Sequence, residues 1–143
     1  MMVETTKSEG FSSEEREAMK ERAKELRGKR TGKTDGLTDL LEKIAEMPPA
    51  DRELAEAVHR IVTTTAPELE PKTWYGSPAY ARGGKVICFF QGADKFKTRY
   101  ATLGFSEDAN LDDGTMWPTS YALTVITAAD EVAISALVRK AVS

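Results

Sequence analysis

One cysteine and one histidine in 143 residues leave little room for redox or imidazole chemistry. Cys88 by itself excludes an intramolecular disulfide and any multi-cysteine zinc or iron–sulfur site. His59 has no second histidine to share a metal with, and no serine or cysteine nucleophile stands at a recognisable spacing from it. A packed structural residue is therefore the expected role of that ring. Long apolar runs are missing too. The longest, Val86 to Phe90, is far too short to cross a bilayer, and the opening Met-Met-Val-Glu-Thr-Thr-Lys has no apolar core of a signal peptide. The expected setting is a reducing cytoplasm, with no membrane partner. Lysine and arginine are absent from Ala101 to Val138, while Glu107, Asp108, Asp112, Asp113, Asp130 and Glu131 all occur there. Aromatic residues are nearly absent outside one region: Phe11 is the sole ring outside Trp74–Tyr121.

What is present suffices for a core. A composition 41% hydrophobic and 30% charged supports one folded domain and argues against wholesale disorder. The net charge of −3 selects no partner class, but the charge is uneven. Residues 72–99 carry Lys72, Arg82, Lys85, Lys95, Lys97 and Arg99 against Asp94 alone, so a basic stretch precedes an acidic one.

The first 36 residues read as a charged helical arm and a linker. Ser12 with Glu15 forms a capping-box pattern, and Glu14 to Arg27 is mostly charge with a thin apolar stripe of Met19, Ala23 and Leu26. In the linker Gly28–Gly36, Gly32-Lys33-Thr34 mimics the end of a phosphate-binding loop. The required glycine five residues earlier is Arg27, and a charged helix precedes the motif instead of a buried strand, which excludes nucleotide hydrolysis.

Residues 37–143 read as an α+β domain. Leu37, Leu40, Leu41 and Ile44 have helical spacing, Pro48-Pro49 stops that helix, and Pro49 and Asp51 open a second one with Leu54, Val58, Ile61 and Val62 buried. Short aromatic and β-branched runs then alternate with turn formers, the pattern of an antiparallel sheet of about five strands. Gly76-Ser77-Pro78 marks a bulge or tight bend between Trp74-Tyr75 and Tyr80-Ala81-Arg82, and Gly83-Gly84 a two-residue hairpin turn. Val86-Ile87-Cys88-Phe89-Phe90 is apolar throughout, so it is expected to be a central strand covered on both faces, with Cys88 a small buried hydrophobe. Lys95, Lys97 and Arg99 alternate with Phe96, Thr98 and Tyr100, which on a strand places the cations on one face and the rings on the other. Such a face is either merely solvated or an anion-binding surface, and rings turned away from the cations give nucleic-acid bases no stacking platform. A return strand is expected from Trp117-Pro118 through Tyr121 to Val125. A last helix, capped by Thr127 with Asp130, should bury Ile134, Leu137, Val138 and Ala141.

The segment Ser106–Gly114 carries four carboxylates: Glu107, Asp108, Asp112 and Asp113. Asp108, Asn110 and Asp112 alternate as at the start of a calcium-binding loop, but Asp113 and Thr119 stand where that loop needs glycine and glutamate. Turn chemistry explains these residues, and a weak site for a hard divalent cation is the functional alternative.

The helix pair around Pro48-Pro49, the motif Trp74-Tyr75-Gly76-Ser77-Pro78-Ala79-Tyr80, the run Gly84-Lys85-Val86-Ile87-Cys88-Phe89-Phe90 with Lys95, and the capped last helix resemble the YdhG-like domain family from about Leu37 to Val142. The resemblance implies an α+β fold with an antiparallel sheet and, for most members, no established enzymatic activity. Some members are described as frataxin-like intracellular iron chaperones that hand iron to iron–sulfur cluster or haem assembly proteins. It thus implies Fe²⁺ as the cargo, with Glu107, Asp108, Asp112 and Asp113 as the dense carboxylates available to hold it loosely. Beside that reading stands a non-catalytic binding module in which Trp74, Tyr75, Tyr80, Lys95, Lys97 and Arg99 hold a small anionic ligand or a protein. An enzyme built around Tyr75, Tyr80 and Lys95 ranks last, because no acid–base pair or nucleophile can be assembled from the motifs.

Overall fold

The computed structural model describes residues 14–22 and 35–143. Residues 14–22 are helical (α1), and Ala18 is the buried point of that segment. The expected Ser12 cap, the stretch 23–27 and the decoy Gly32-Lys33-Thr34 lie outside the described residues.

Asp35, which the sequence reading assigns to the linker, instead caps a helix running Gly36–Ala45 (α2). Its carboxylate accepts the Leu37 amide at 3.0 Å and the Thr38 hydroxyl at 2.9 Å, satisfying donors that the first turn leaves open. Gly36 is required by space: a Cβ there would strike the Pro71 carbonyl. Pro48 and Pro49 then open helix Pro49–Thr65 (α3), because Pro49 needs no amide partner in a first turn.

Five strands follow as a plain meander: Glu70–Trp74 (β1), Ser77–Arg82 (β2), Lys85–Gln91 (β3), Ala101–Phe105 (β4) and Ser120–Leu123 (β5). All pairs are antiparallel and the order is β1-β2-β3-β4-β5, so β3 is central as its apolar run implies. Both early hairpins close on two residues with positive φ, Tyr75 (53°) with Gly76 (77°) and Gly83 (59°) with Gly84 (82°). That geometry matches the right-handed twist of the strands it joins. A register shift sets Ala81 opposite Val86 but Tyr80 opposite Cys88, leaving Ile87 as the extra residue of a bulge on β3.

Alternation and register sort the side chains. Tyr80, Cys88, Phe90, Leu103 and Phe105 share the face that packs against Leu40 and Ile44 of α2, Val58 and Val62 of α3, and Ile134 and Val138 of the last helix, Ala128–Ala141 (α5). Fully burying each large apolar side chain in such a core contributes about 1.5–3 kcal/mol. Helix α5 starts with the expected capping box, Thr127 accepting from the Asp130 amide and Asp130 from the Thr127 amide.

The opposite face differs from the sequence expectation for β3. Phe89 is half-buried and not sealed in a second core. It lies across β4 at Gly104, where a Cβ would collide with its ring, and Trp74 meets it at 5.2 Å between centroids. Strand β5 also stops short of expectation, at Leu123, and Val125 is 64% exposed beyond it.

Candidate functional site

The largest departure from the sequence reading builds the candidate site. Lys95, Lys97 and Arg99 do not lie on a strand. Ala93–Phe96 (α4) is a single helical turn, and Lys97 ends it in the left-handed region at φ 55°. The cause is Asp51, buried on α3 with 6% exposure. Its Oδ1 accepts the Ala93 amide at 3.1 Å and its Oδ2 the Asp94 amide at 2.9 Å. A carboxylate at the two open donors of a helical start is the standard electrostatic arrangement, here supplied across the fold and not by a neighbour in sequence. Gly92 fits beneath it, since a Cβ there would sit 2.9 Å from Asp51 Oδ2. The cations consequently lie beside rings and not opposite them: Lys95 is 5.6 Å from the Phe96 centroid and Arg99 5.1 Å from that of Tyr100.

With the turn fixed, Lys95 reaches back to the β1–β2 hairpin and donates to the Tyr75 carbonyl at 3.0 Å. Its ammonium lies where a Gly76 side chain would have to be, so the tight turn and the lysine require each other. On the other side, Lys43 of α2 pairs with Glu21 of α1 at 2.6 Å and with Glu46 at 3.5 Å. Burial works against the charge on Lys43, but these two carboxylates outweigh it and raise its pKa.

Between these elements runs a groove of about 450 Å³. It is lined by Gly76, Ser77, Gly92 and Met47, and by Glu14, Glu17, Glu21, Glu46, Asp51 and Asp94 against Lys43, Lys95 and Lys97. The lining is therefore of mixed sign with carboxylates in excess. Ser77 is a polar residue of this lining with 4% exposure.

The remaining sequence candidates are dispersed. Tyr80 is 1% exposed in the core, and its hydroxyl lies 2.9 Å from His59 Nδ1, the ring that the sequence assigned to structure. Trp74 points to the opposite face: it pairs with Ser77, whereas Tyr80 shares its face with Pro78. Trp74 and Tyr80 thus cannot line one pocket, and the joint ligand set of Trp74, Tyr75, Tyr80, Lys95, Lys97 and Arg99 does not assemble. Of these six, only Lys95 and Lys97 line the groove. Asp51, Glu46 and Lys43 were missed as site residues; an acidic residue just inside a proline-led helix was read as a local helix-start preference.

Glu107, Asp108, Asp112 and Asp113 are exposed on the β4–β5 connection. Glu107 and Asp112 line a second, more open hollow of about 540 Å³ with Phe105, Met116 and Trp117. Among the described residues, no group of three or more His, Cys, Asp or Glu side chains is gathered closely enough to hold a metal ion. Cys88 is buried, and burial pushes its thiol up to about 12.

Compared with known protein families, curated proteins and solved structures, the chain shows no match.

Proposed function

We propose that this chain is a non-catalytic binding module that takes a small ligand bearing both a cationic and an anionic group into the groove between α1, the α2–α3 corner, the Tyr75-Gly76 turn and α4. The observation that carries this reading is the Asp51 cap. A buried carboxylate is committed to holding one helical turn whose side chains, Lys95 and Lys97, line a ligand-sized hollow together with Glu14, Glu17, Glu21 and Glu46. Excess carboxylate favours an ammonium or guanidinium, and the two lysines favour a carboxylate or phosphate at the other end. The test is NMR titration with arginine, spermidine and citrate as separate probes. Arginine should shift the amides of Gly76, Ser77 and Gly92 more than citrate does. Citrate acting alone on these amides would favour the purely anionic alternative, and no shift with any probe would remove the groove reading.

One observation favours a second reading. Glu107, Asp108, Asp112 and Asp113 are all exposed on a loop pinned to the core, an arrangement from which a loosely held divalent ion could be passed on. This is the iron-delivery role implied by the resemblance to the YdhG-like family, with iron–sulfur cluster or haem assembly proteins as recipients. Anaerobic Fe²⁺ titration should then perturb residues 107–113 first.

A further inference from the structure

We infer that the hollow beneath the β4–β5 connection docks a basic, amphipathic peptide segment of a partner protein. This inference goes beyond the groove reading and uses none of its residues.

The hollow is lined by the apolar residues Phe105, Ala109, Met116 and Trp117 together with the acidic Glu107 and Asp112. Met116 is 87% exposed, a large loss for an apolar side chain left in water, and Trp117 and Phe105 continue the surface inward. Glu107 and Asp112 line the same hollow, Asp108 and Asp113 are exposed beside them, and no lysine or arginine lines it among the described residues. The absence extends along the chain, since Ala101–Val138 contains no cation. A neutral or acidic apolar partner would meet four exposed carboxylates, none of them in an ion pair among the described residues. One with lysine or arginine flanking an apolar anchor would satisfy both the carboxylates and the apolar lining.

The loop is also built to stay open. Ala109 and Leu111 anchor it in the core at 6% and 4% exposure. The Asn110 amide donates to the Ala141 carbonyl at 2.9 Å, tying the loop to the end of α5. Ser106 holds its start, donating its hydroxyl to the Val86 carbonyl and its amide to the Ile87 carbonyl. A preformed hollow of this kind asks little ordering of its own surface when a partner binds.

The test uses the full chain and a synthetic peptide of about a dozen residues in which lysines flank tryptophan and leucine, with an all-lysine peptide and a serine-for-lysine peptide as controls. The amphipathic peptide should bind most tightly, shift amides across residues 107–119, and weaken as salt is raised. Met116→Ser removes a large apolar contact and should weaken binding about tenfold or more. Asp112→Lys should weaken it further and flatten the salt dependence, while Glu53→Gln, exposed on α3 and outside both hollows, should leave it unchanged. Equal binding of the all-lysine peptide would overturn the proposal, as would shifts confined to Gly76–Lys97. Concentration-dependent self-association abolished by Met116→Ser would overturn it in favour of a second copy as occupant.

Discussion

Replacing Asp51 by alanine strips two backbone amides, those of Ala93 and Asp94, of their buried acceptor. A hydrogen bond to a charged group contributes about 1.5–3 kcal/mol, and two sharing one carboxylate are not independent. Removing a carboxylate with 6% exposure also relieves its own desolvation, which offsets part of the loss. The net expectation is a destabilisation of about 2–3 kcal/mol. For a chain of this size each kcal/mol lowers Tm by about 2–4 °C, so a fall of about 5–10 °C follows. Asp51→Asn keeps one acceptor oxygen but turns an amide donor toward the other N–H, and should fall between wild type and alanine. Urea unfolding gives the magnitude. Hydrogen exchange gives the location, with protection of Ala93 and Asp94 lost before that of β3. A loss below about 0.5 kcal/mol, or exchange at Ala93 and Asp94 unchanged from wild type, would refute the claim that this carboxylate holds the turn. If the turn does loosen, the groove should lose its probes as well, because Lys95 and Lys97 ride on it.

Gly104→Ala should destabilise by about 1–3 kcal/mol, since the new methyl displaces the Phe89 ring. Phe89→Leu in the same chain should recover part of that, and a double-mutant cycle with zero coupling would remove the steric explanation. Burial lowers the His59 pKa from its ordinary 6.5, so the unfolded chain takes up that proton first as pH falls. Stability should therefore decline as pH drops through 6.5 toward the lower folded value, and His59→Gln should flatten the urea midpoint across pH 7 to 5. Tyr80→Phe, which removes the 2.9 Å contact to His59, should cost about 1 kcal/mol at pH 7 in the same assay.

The parts of the fold visible in the sequence are those specified by near neighbours. Gly83-Gly84 demands a mirror-image hairpin turn, Pro49 demands a helix start, and Thr127 with Asp130 closes a capping box within a single turn. The five-stranded α+β architecture follows from these short-range signals. The segment Ala93–Tyr100 was misread for the converse reason. Its alternation of charge and ring matches a strand, but the group that winds it into a helical turn lies 42 residues earlier on α3. Tyr75 was similarly opaque: nothing about a tyrosine announces φ 53°, which follows from the two-residue connection and the pairing of Trp74 with Ser77. Aromatic clustering in sequence also overstated clustering in space, because adjacent strand positions face opposite sides. The groove was invisible for all these reasons together, its walls coming from four separate stretches of chain.

The strand order β1-β2-β3-β4-β5 has a kinetic corollary. Every ladder joins consecutive segments, so the chain never has to close a long loop around a strand already in place. Assembly can proceed by successive zippering, and the slow event should be the late seating of α5 on α3, the tertiary join that spans the whole meander.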